Sequence, residues 1–375
     1  MPPSDGFDLA SEFGALKRLS AALGRDRRRT QAAGGNTSLK HNGILWVKAS
    51  GTWLSEAEDK DIFVPVRIAP LLEALRSGDP RAEKATDFVA AELSGTTLRP
   101  SIETSVHAAI PQAVVLHIHC VETIALAVRT DGEARIRERL QAAGLTERFA
   151  HVPYCRPGVP LSREIARVAG PMIDVIVLEN HGLVVAGESV AEAAERLEAV
   201  VAALATPPRD APEDAQRGSG AEPGLAELST LAEGTPYRLP ADATAHRIAR
   251  APAARRVALA GPLYPDHVIF LGEAVGHVEA SRAALGAFLA EAGASAPPLL
   301  LVDGLGVLVR DTVTASGEAL VGCLADVAAR IPEDAPLKPF TAAELHALTH
   351  WEAESYRQSL DRPPAVGSGA PGATP

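Results

Sequence analysis

The sequence predicts an α/β protein in which strands and helices pack in layers. Two observations carry this prediction. Short buried apolar runs, such as 114–118 and 174–178, alternate with amphipathic helical segments as far as residue 205. A weaker form of the pattern returns in the second half. There, residues 301–309 can be aligned with residues 177–185, and a long apolar helical segment follows each of the two. We therefore expect one α/β domain followed by a second, degenerate α/β region.

Length and composition limit the classes of function that the chain can have. Its 375 residues suggest about two domains. A net charge of −11 disfavours a nucleic-acid partner. The one basic run, Lys17 to Arg29, is expected to lie on an N-terminal helix, as a solvated face or a subunit contact. No membrane span is expected, since no run of ~18–20 apolar residues is present, and the N-terminus lacks the pattern of a secretory signal. Three well-separated cysteines argue against a disulfide framework and favour the cytoplasm.

The elements of the first domain follow from apolar spacing. Helical spacing predicts helices over 8–24, 67–77, 82–93, 103–110, 121–128, 133–143, 162–170 and 189–204. Strands are predicted over 34–39, 44–48, 114–120, 174–178 and 183–187. Ser101 is expected to cap the helix that begins near Glu103.

Composition also predicts the domain boundaries. Residues 1–205 are expected to form the first domain, and 206–224, rich in Pro, Gly and charge, a linker or mobile loop. Residues 225–361 are expected to form the degenerate α/β domain, and the Pro/Gly/Ala-rich tail 362–375 to be disordered. The alignment of the two halves makes 265–271 a strand. In the same alignment, Leu271, Glu273 and Leu305 stand at the positions of His117, His119 and His181, which are candidate metal ligands. The second half is therefore expected to lack metal ligands.

Two histidines end the apolar strand that precedes Cys120. His117 and His119 are two residues apart, so in a strand their side chains point to the same face. Two imidazoles on one face are a common beginning for a transition-metal site, with zinc the first candidate. The alternative is that one histidine is packed in the core and the other lies at the surface.

His181 is the best third ligand, because it interrupts two apolar strands in Asn180-His181-Gly182. Gly182 is expected to supply the permissive backbone angles of a tight turn. Three neutral imidazoles leave one coordination position open, as a catalytic zinc requires. Glu103, at the start of the helix that leads into the histidine strand, can ligate the metal or act as general base. His107, four residues later, either orients Glu103 or simply packs.

A small-anion pocket is the third predicted feature. Gly34-Gly35-Asn36-Thr37-Ser38, Ser50-Gly51-Thr52 and Ser101 offer backbone N–H groups, hydroxyls and an amide. Ordinary turns are the alternative interpretation of such clusters. The chain contains no Walker-type loop, dinucleotide fingerprint or Gly-x-Ser-x-Gly elbow.

Together these motifs resemble the class II aldolase/adducin family over about residues 8–205. The matching segments are Gly35-Asn36-Thr37-Ser38, 45–52, 103–107, His117-Ile118-His119 and Asn180-His181-Gly182. The resemblance implies a three-layer α/β/α fold and Zn²⁺, or another divalent metal, on His117, His119 and His181. It also implies Glu103 as acid/base, and Asn36, Ser50, Gly51 and Ser101 as residues that bind the substrate phosphate. Ile102 stands where phosphate aldolases of the family often have a second serine, which weakens the case for a phosphorylated substrate.

We therefore predict a zinc-dependent lyase that cleaves a small sugar phosphate or a related hydroxy-carbonyl compound or hydroxy acid. The retro-aldol reaction would pass through a metal-stabilised enediolate. As the resemblance implies, the same site also suits an epimerase, a decarboxylase or a dehydratase. A non-catalytic scaffold like the adducins is the alternative of another class. We expect a homo-oligomer, a dimer rather than the family's tetramer, because the second half can replace contacts between subunits.

Overall fold

The computed structural model describes residues 8–209 and 224–361. Most of the expected linker, 210–223, and the expected disordered tail, 362–375, lie outside the described residues. Within the described part the chain forms two sheets with helices packed on their faces. None of the described helices is both long and apolar enough to cross a lipid bilayer.

The bounds of the regular elements are as follows. The helices are α1 Leu9–Arg25, α2 Ile68–Ser77, α3 Thr104–Ala109, α4 Val121–Ala127, α5 Gly132–Ala142, α6 Val159–Val168, α7 Val190–Leu204, α8 Leu225–Ala232, α9 Arg247–Arg250, α10 Pro252–Leu259, α11 Pro265–Leu271, α12 Arg282–Ala292, α13 Ala315–Ala328, α14 Ala342–Thr349 and α15 Glu352–Asp361. The strands are β1 Asn36–His41, β2 Ile44–Lys48, β3 Phe63–Arg67, β4 Val114–Ile118, β5 Phe149–Val152, β6 Val175–Leu178, β7 Gly182–Gly187, β8 Tyr237–Arg238, β9 Gly276–Val278, β10 Leu299–Val302 and β11 Gly306–Arg310.

The large sheet has seven strands in the order β3-β2-β1-β4-β7-β6-β5. Its pairs are antiparallel except β5 with β6. The strand β4 lies in the middle, between β1 and β7, and all its residues are buried. In this register Asn36 on β1 and Val184 on β7 both lie opposite His117. The sheet therefore brings the ends of β4, β1 and β7 to one edge.

Helices cover both faces of this sheet, as the sequence predicts. Alternate residues of β4 belong to different cores. Leu116 packs in a core with Leu16 of α1 and Leu197 of α7. Val115 packs in another core with Val106 of α3 and Ile165 of α6. The first half is thus a three-layer α/β/α structure.

The smaller sheet lies in the second half, in the order β8-β11-β10-β9. The antiparallel hairpin of β10 and β11, followed by α13, repeats the arrangement of β6, β7 and α7. This part of the predicted internal repeat agrees with the structure. The two halves also share a core, in which Val121 and Ile124 of α4 pack with Val257 of α10 and Leu324 of α13.

Two predicted elements are wrong. Residues 265–271, expected as a strand, form the helix α11. Proline at the first helical position, followed by an acidic residue in the first turn, is typical of a helix start, and this local signal outweighs the apolar run. Residues 82–93, expected as a helix, form short 3₁₀ turns. There the Ala90 N–H donates to the Pro65 carbonyl at 2.9 Å, so pairing with β3 replaces helical bonding.

Candidate metal centre and active-site cavity

Three histidines meet at the edge of the large sheet where β4 ends. His117 lies in β4, His119 just beyond it, and His181 in the turn between β6 and β7. All three are buried, and one ligand nitrogen of each lies within 4.8 Å of those of the other two. The sheet register thus brings residues that are distant in sequence around one point, as a metal centre requires.

The rings are arranged so that their Nε2 atoms face inward. Nε2 of His119 lies 3.2 Å from Nε2 of His117. The centroids of the three rings are 5.0 to 5.1 Å apart, and each pair is close to edge-on. Three imidazole nitrogens that converge in this way can ligate one divalent cation and leave a position for substrate.

The Glu103 carboxylate lies beside the same point, at the N-terminus of α3. Its Oε2 is 3.3 Å from Nε2 of His117, and its Oε1 is 3.5 Å from Nε2 of His181. The Asn36 side chain donates a hydrogen bond of 3.0 Å to Oε2. Oε1 is a buried oxygen without a hydrogen-bond partner, so it can accept a ligand or a proton in this space.

The charge states of these groups suit a divalent cation. Burial, only partly offset by Glu103, lowers the pKa of His117 to about 4 and that of His181 to about 3. Burial alone would raise the pKa of Glu103, but the three histidines and the Asn36 amide outweigh it and lower this pKa to about 2. At neutral pH the site therefore offers neutral imidazoles on His117 and His181 and an ionised carboxylate on Glu103, the protonation states that metal ligands need.

His107 acts on Glu103 through Asn36. Its Nε2–H donates to Oδ1 of Asn36, whose amide nitrogen binds Glu103. The Ser38 hydroxyl contacts Nδ1 of His107 at 2.7 Å and donates to it in this tautomer. The sequence left open whether His107 orients the glutamate or packs, and the geometry favours orientation through this chain of hydrogen bonds.

The turn that carries His181 differs from the expectation in its backbone. Asn180, with φ of 52°, adopts the left-handed conformation that was expected of Gly182. A Cβ at Gly182 would instead lie 2.6 Å from the Ile118 carbonyl oxygen. Glycine is therefore needed there so that β7 can approach the end of β4.

The predicted anion-binding residues border a small cavity. Asn36, Ser50, Gly51 and Ser101 line it together with Glu103, His119 and His181. Its free volume of about 30 Å³ has room for a water molecule or an ion. Ser50 and Ser101 also line a wider neighbouring cavity of about 380 Å³, which includes the Arg99 side chain. The structure thus brings the predicted metal ligands, Glu103 and four predicted anion-binding residues to one place, whereas Thr37, Ser38 and Thr52 of the predicted anion pocket do not line the small cavity.

Three further polar residues of this cavity were missed by the sequence prediction. They are Lys48, whose ammonium donates to the carbonyls of Ala33 and Gly35 at 2.8 and 2.9 Å, and the acidic residues Asp266 and Glu354. Asp266 Oδ2 lies 2.5 Å from Nδ1 of His119. The helix start at Pro265-Asp266 was the sequence signal that could have pointed to Asp266. Nothing local in the sequence marks Glu354.

Known proteins are similar to the first half of this chain. The family model described as the class II aldolase and adducin N-terminal domain matches residues 16–206. A methylthioribulose-1-phosphate dehydratase of Leptospira biflexa is 29% identical over 217 residues, which cover 52% of this chain and 94% of that enzyme. An uncharacterized oxidoreductase of Bacillus subtilis, YuxG, is 30% identical over 182 residues. That match covers 45% of this chain and only 26% of the length of YuxG.

Solved structures resemble the first half as well. The N-terminal class II aldolase domain of a conserved Thermoplasma acidophilum protein is 25% identical, with a TM-score of 0.44, and the match covers 54% of this chain and 97% of that one. An L-fuculose-1-phosphate aldolase from Thermus thermophilus is 15% identical, with a TM-score of 0.34, and the match covers 52% of this chain and 92% of that one.

Proposed function

Because this chain belongs to the enzymes of the class II aldolase and adducin family, we propose that it is a metal-dependent lyase for a small hydroxy-carbonyl substrate. The favoured reaction is retro-aldol cleavage of a sugar phosphate or a related compound. One observation carries the proposal, namely the convergence of His117, His119 and His181 beside the Glu103 carboxylate. A scaffold without catalytic function would not need this buried donor set.

The three histidines would hold the cation through their Nε2 atoms, with Zn²⁺ the first candidate. When bound, the cation supplies Lewis-acid stabilisation of the negative charge that develops on the substrate oxygens.

Proton transfer is assigned to Glu103. Because Glu103 is ionised at neutral pH, it acts first as a proton acceptor, through the Oε1 atom that has no hydrogen-bond partner. It then returns the proton to the enediolate carbon after the carbon–carbon bond breaks. The Asn36 amide holds Oε2, and His107 holds Asn36, so the carboxylate has one orientation toward the reacting atoms.

The far end of the substrate is assigned to Asn36, Ser50, Gly51 and Ser101. All four line the small cavity at the histidines, and Ser50 and Ser101 also line the wider cavity with Arg99. An anionic group held there fixes the reacting end against Glu103, so that binding energy is used for orientation. The wider cavity has space that the small one lacks, and we place the bulk of the substrate in it.

Dehydration is the second candidate reaction. Its support is the Leptospira biflexa relative, which is named a dehydratase and is matched over 94% of its length. Epimerisation and decarboxylation would use the same donor set but have no comparable support. We further propose the cytoplasm as the compartment, and a homodimer as the assembly, for which light scattering should give twice the mass of the chain.

The test has two steps. The purified protein is first analysed for bound divalent metal after dialysis against Zn²⁺, and failure to retain any would remove the mechanism. Phosphorylated and unphosphorylated ketoses and keto acids are then screened, with the Glu103→Gln variant as control. We expect wild-type protein to release an aldehyde or a dehydrated product, and Glu103→Gln to bind metal but to lose at least about 100-fold in turnover.

A further inference from the structure

A carboxylate of the second half of the chain contacts one histidine of the candidate metal centre directly. Asp266, in the first turn of α11, has Oδ2 at 2.5 Å from Nδ1 of His119. Asp266 and His119 are 1% and 5% exposed, so this contact lies in the interior. In the described chain, His119 is the one histidine of the three that has a carboxylate at Nδ1. Residue 266 lies outside the part of the chain that the family model matches.

We propose that Asp266 is a positioning residue for the metal ligand His119. This inference rests on the proposed function, because it assumes that His119 binds a cation. The Nδ1–H of His119 donates to Asp266, which fixes the tautomer in which the Nε2 lone pair faces His117 and His181. A carboxylate on the far nitrogen also makes the imidazole a stronger donor toward a cation.

Close packing of the first half permits the contact. A Cβ at Gly34 would lie 2.6 Å from Oδ2 of Asp266 and 2.9 Å from Nδ1 of His119. The same Cβ would lie 2.9 Å from the Gln31 carbonyl oxygen, so any other residue at 34 would force one or more of these three groups to shift. The glycine that was expected only to line an anion pocket therefore also makes room for the carboxylate.

The second half holds the turn of another ligand as well. The side chain of Asn180, next to His181, donates to the carbonyls of Leu263 and Lys338 at 2.8 and 2.7 Å. Lys338 also forms an ion pair of 2.7 Å with Glu179. The second half thus contacts the candidate metal centre at two places, at His119 through Asp266 and at the turn of His181 through Leu263 and Lys338.

The experiment measures metal affinity rather than turnover. The metal-free full-length protein is titrated with Co²⁺, whose visible absorption reports the ligand geometry, and with Zn²⁺ against a chromophoric chelator. We expect Asp266→Asn to weaken Zn²⁺ binding by about 10-fold and Asp266→Ala by up to about 100-fold. Both variants should also change the Co²⁺ spectrum. Gly34→Ala should weaken binding as well.

A matched control separates positioning from general destabilisation. Asp326 is also a buried aspartate of the second half, 5% exposed, but it pairs with Arg27 and Arg330 instead of a site histidine. Asp326→Asn should lower the thermal midpoint without changing metal affinity or the Co²⁺ spectrum. If wild-type protein binds Zn²⁺ and Asp266→Ala binds it equally well, the inference is wrong while the proposed function stands. If wild-type protein binds no divalent cation, the proposed function itself fails.

Discussion

Single residues in this chain show how burial sets charge. His267, next to Asp266 on α11, is 1% exposed, and burial lowers its pKa to about 4. Its ring lies 5.4 Å from that of Tyr264, which is equally buried. Water cannot stabilise an imidazolium ion in such a place, so the folded protein keeps His267 neutral. In the unfolded chain the same residue takes up a proton near pH 6.5.

This difference predicts a pH dependence of stability. Because the folded-state pKa lies below the unfolded one, the unfolded state binds more protons between about pH 6.5 and pH 4, and stability falls as the pH falls through that range. The contribution of His267 is about 3 kcal/mol. Denaturant unfolding of metal-free protein should therefore show a shallower decline with pH for His267→Gln than for wild type. Equal slopes would contradict the prediction.

Elements whose own sequence has a strong apolar pattern could be predicted. Elements that depend on pairing with distant strands could not. The histidine strand β4 and the β6–β7 hairpin have apolar runs that are characteristic of buried strands, and the turn at 180–181 interrupts them clearly. The strand β3 and the short β5 were missed, since their pairing depends on neighbours distant in sequence. For the same reason the Asp266–His119 contact, which spans 147 positions, could not be inferred.

The turn between β6 and β7 gives a prediction at the level of one element. Asn180 combines a positive φ with two hydrogen bonds to carbonyls of the second half. Asn180→Gly keeps the backbone conformation but loses the bonds, at a cost of about 1–3 kcal/mol of unfolding free energy. Asn180→Ala adds the left-handed strain of about 1 kcal/mol and should be less stable. Chemical denaturation measures both, and equal stability of the two variants would show that the strain is negligible.

The last described helix, α15, gives a second prediction at the level of one element. It contributes the Glu354 carboxylate, 2% exposed, to the cavity that contains Ser50, Gly51 and Ser101. If that cavity binds anions, a negative charge on Glu354 opposes them in addition to those on Glu103 and Asp266. Glu354→Gln should therefore bind inorganic phosphate about fivefold more tightly, as expected from a repulsion of roughly 1 kcal/mol.

Calorimetric titration of metal-free protein measures this change. Glu291→Gln on α12 makes the same change in net charge at an exposed position and serves as the control. An unchanged affinity in Glu354→Gln would place the anion elsewhere.

Over the whole molecule the two halves depend on each other. The apolar face of α4, with Val121, Ile124 and Val128 at its centre, is buried in a core made largely by the second half. Ion pairs cross the same boundary, between Arg27 and Asp326 at 3.1 Å and between Glu179 and Lys338 at 2.7 Å. The second half therefore packs against the first half and also borders the candidate metal centre.

Separation of the two halves should disrupt both the packing of the first half and the candidate metal centre. A fragment that ends at residue 209 would expose the three aliphatic side chains of α4, at a cost of about 5 kcal/mol or more. This is comparable with the whole stability of a typical domain, about 5–15 kcal/mol. We expect the fragment alone to aggregate or to unfold at low denaturant, and to bind Zn²⁺ more weakly because it lacks Asp266. Co-expression with a fragment that begins at residue 210 should restore solubility and affinity together, because the missing core and the missing carboxylate return on the same piece. A fragment 1–209 as stable and as tightly metal-binding as the full chain would show that the second half is dispensable for both.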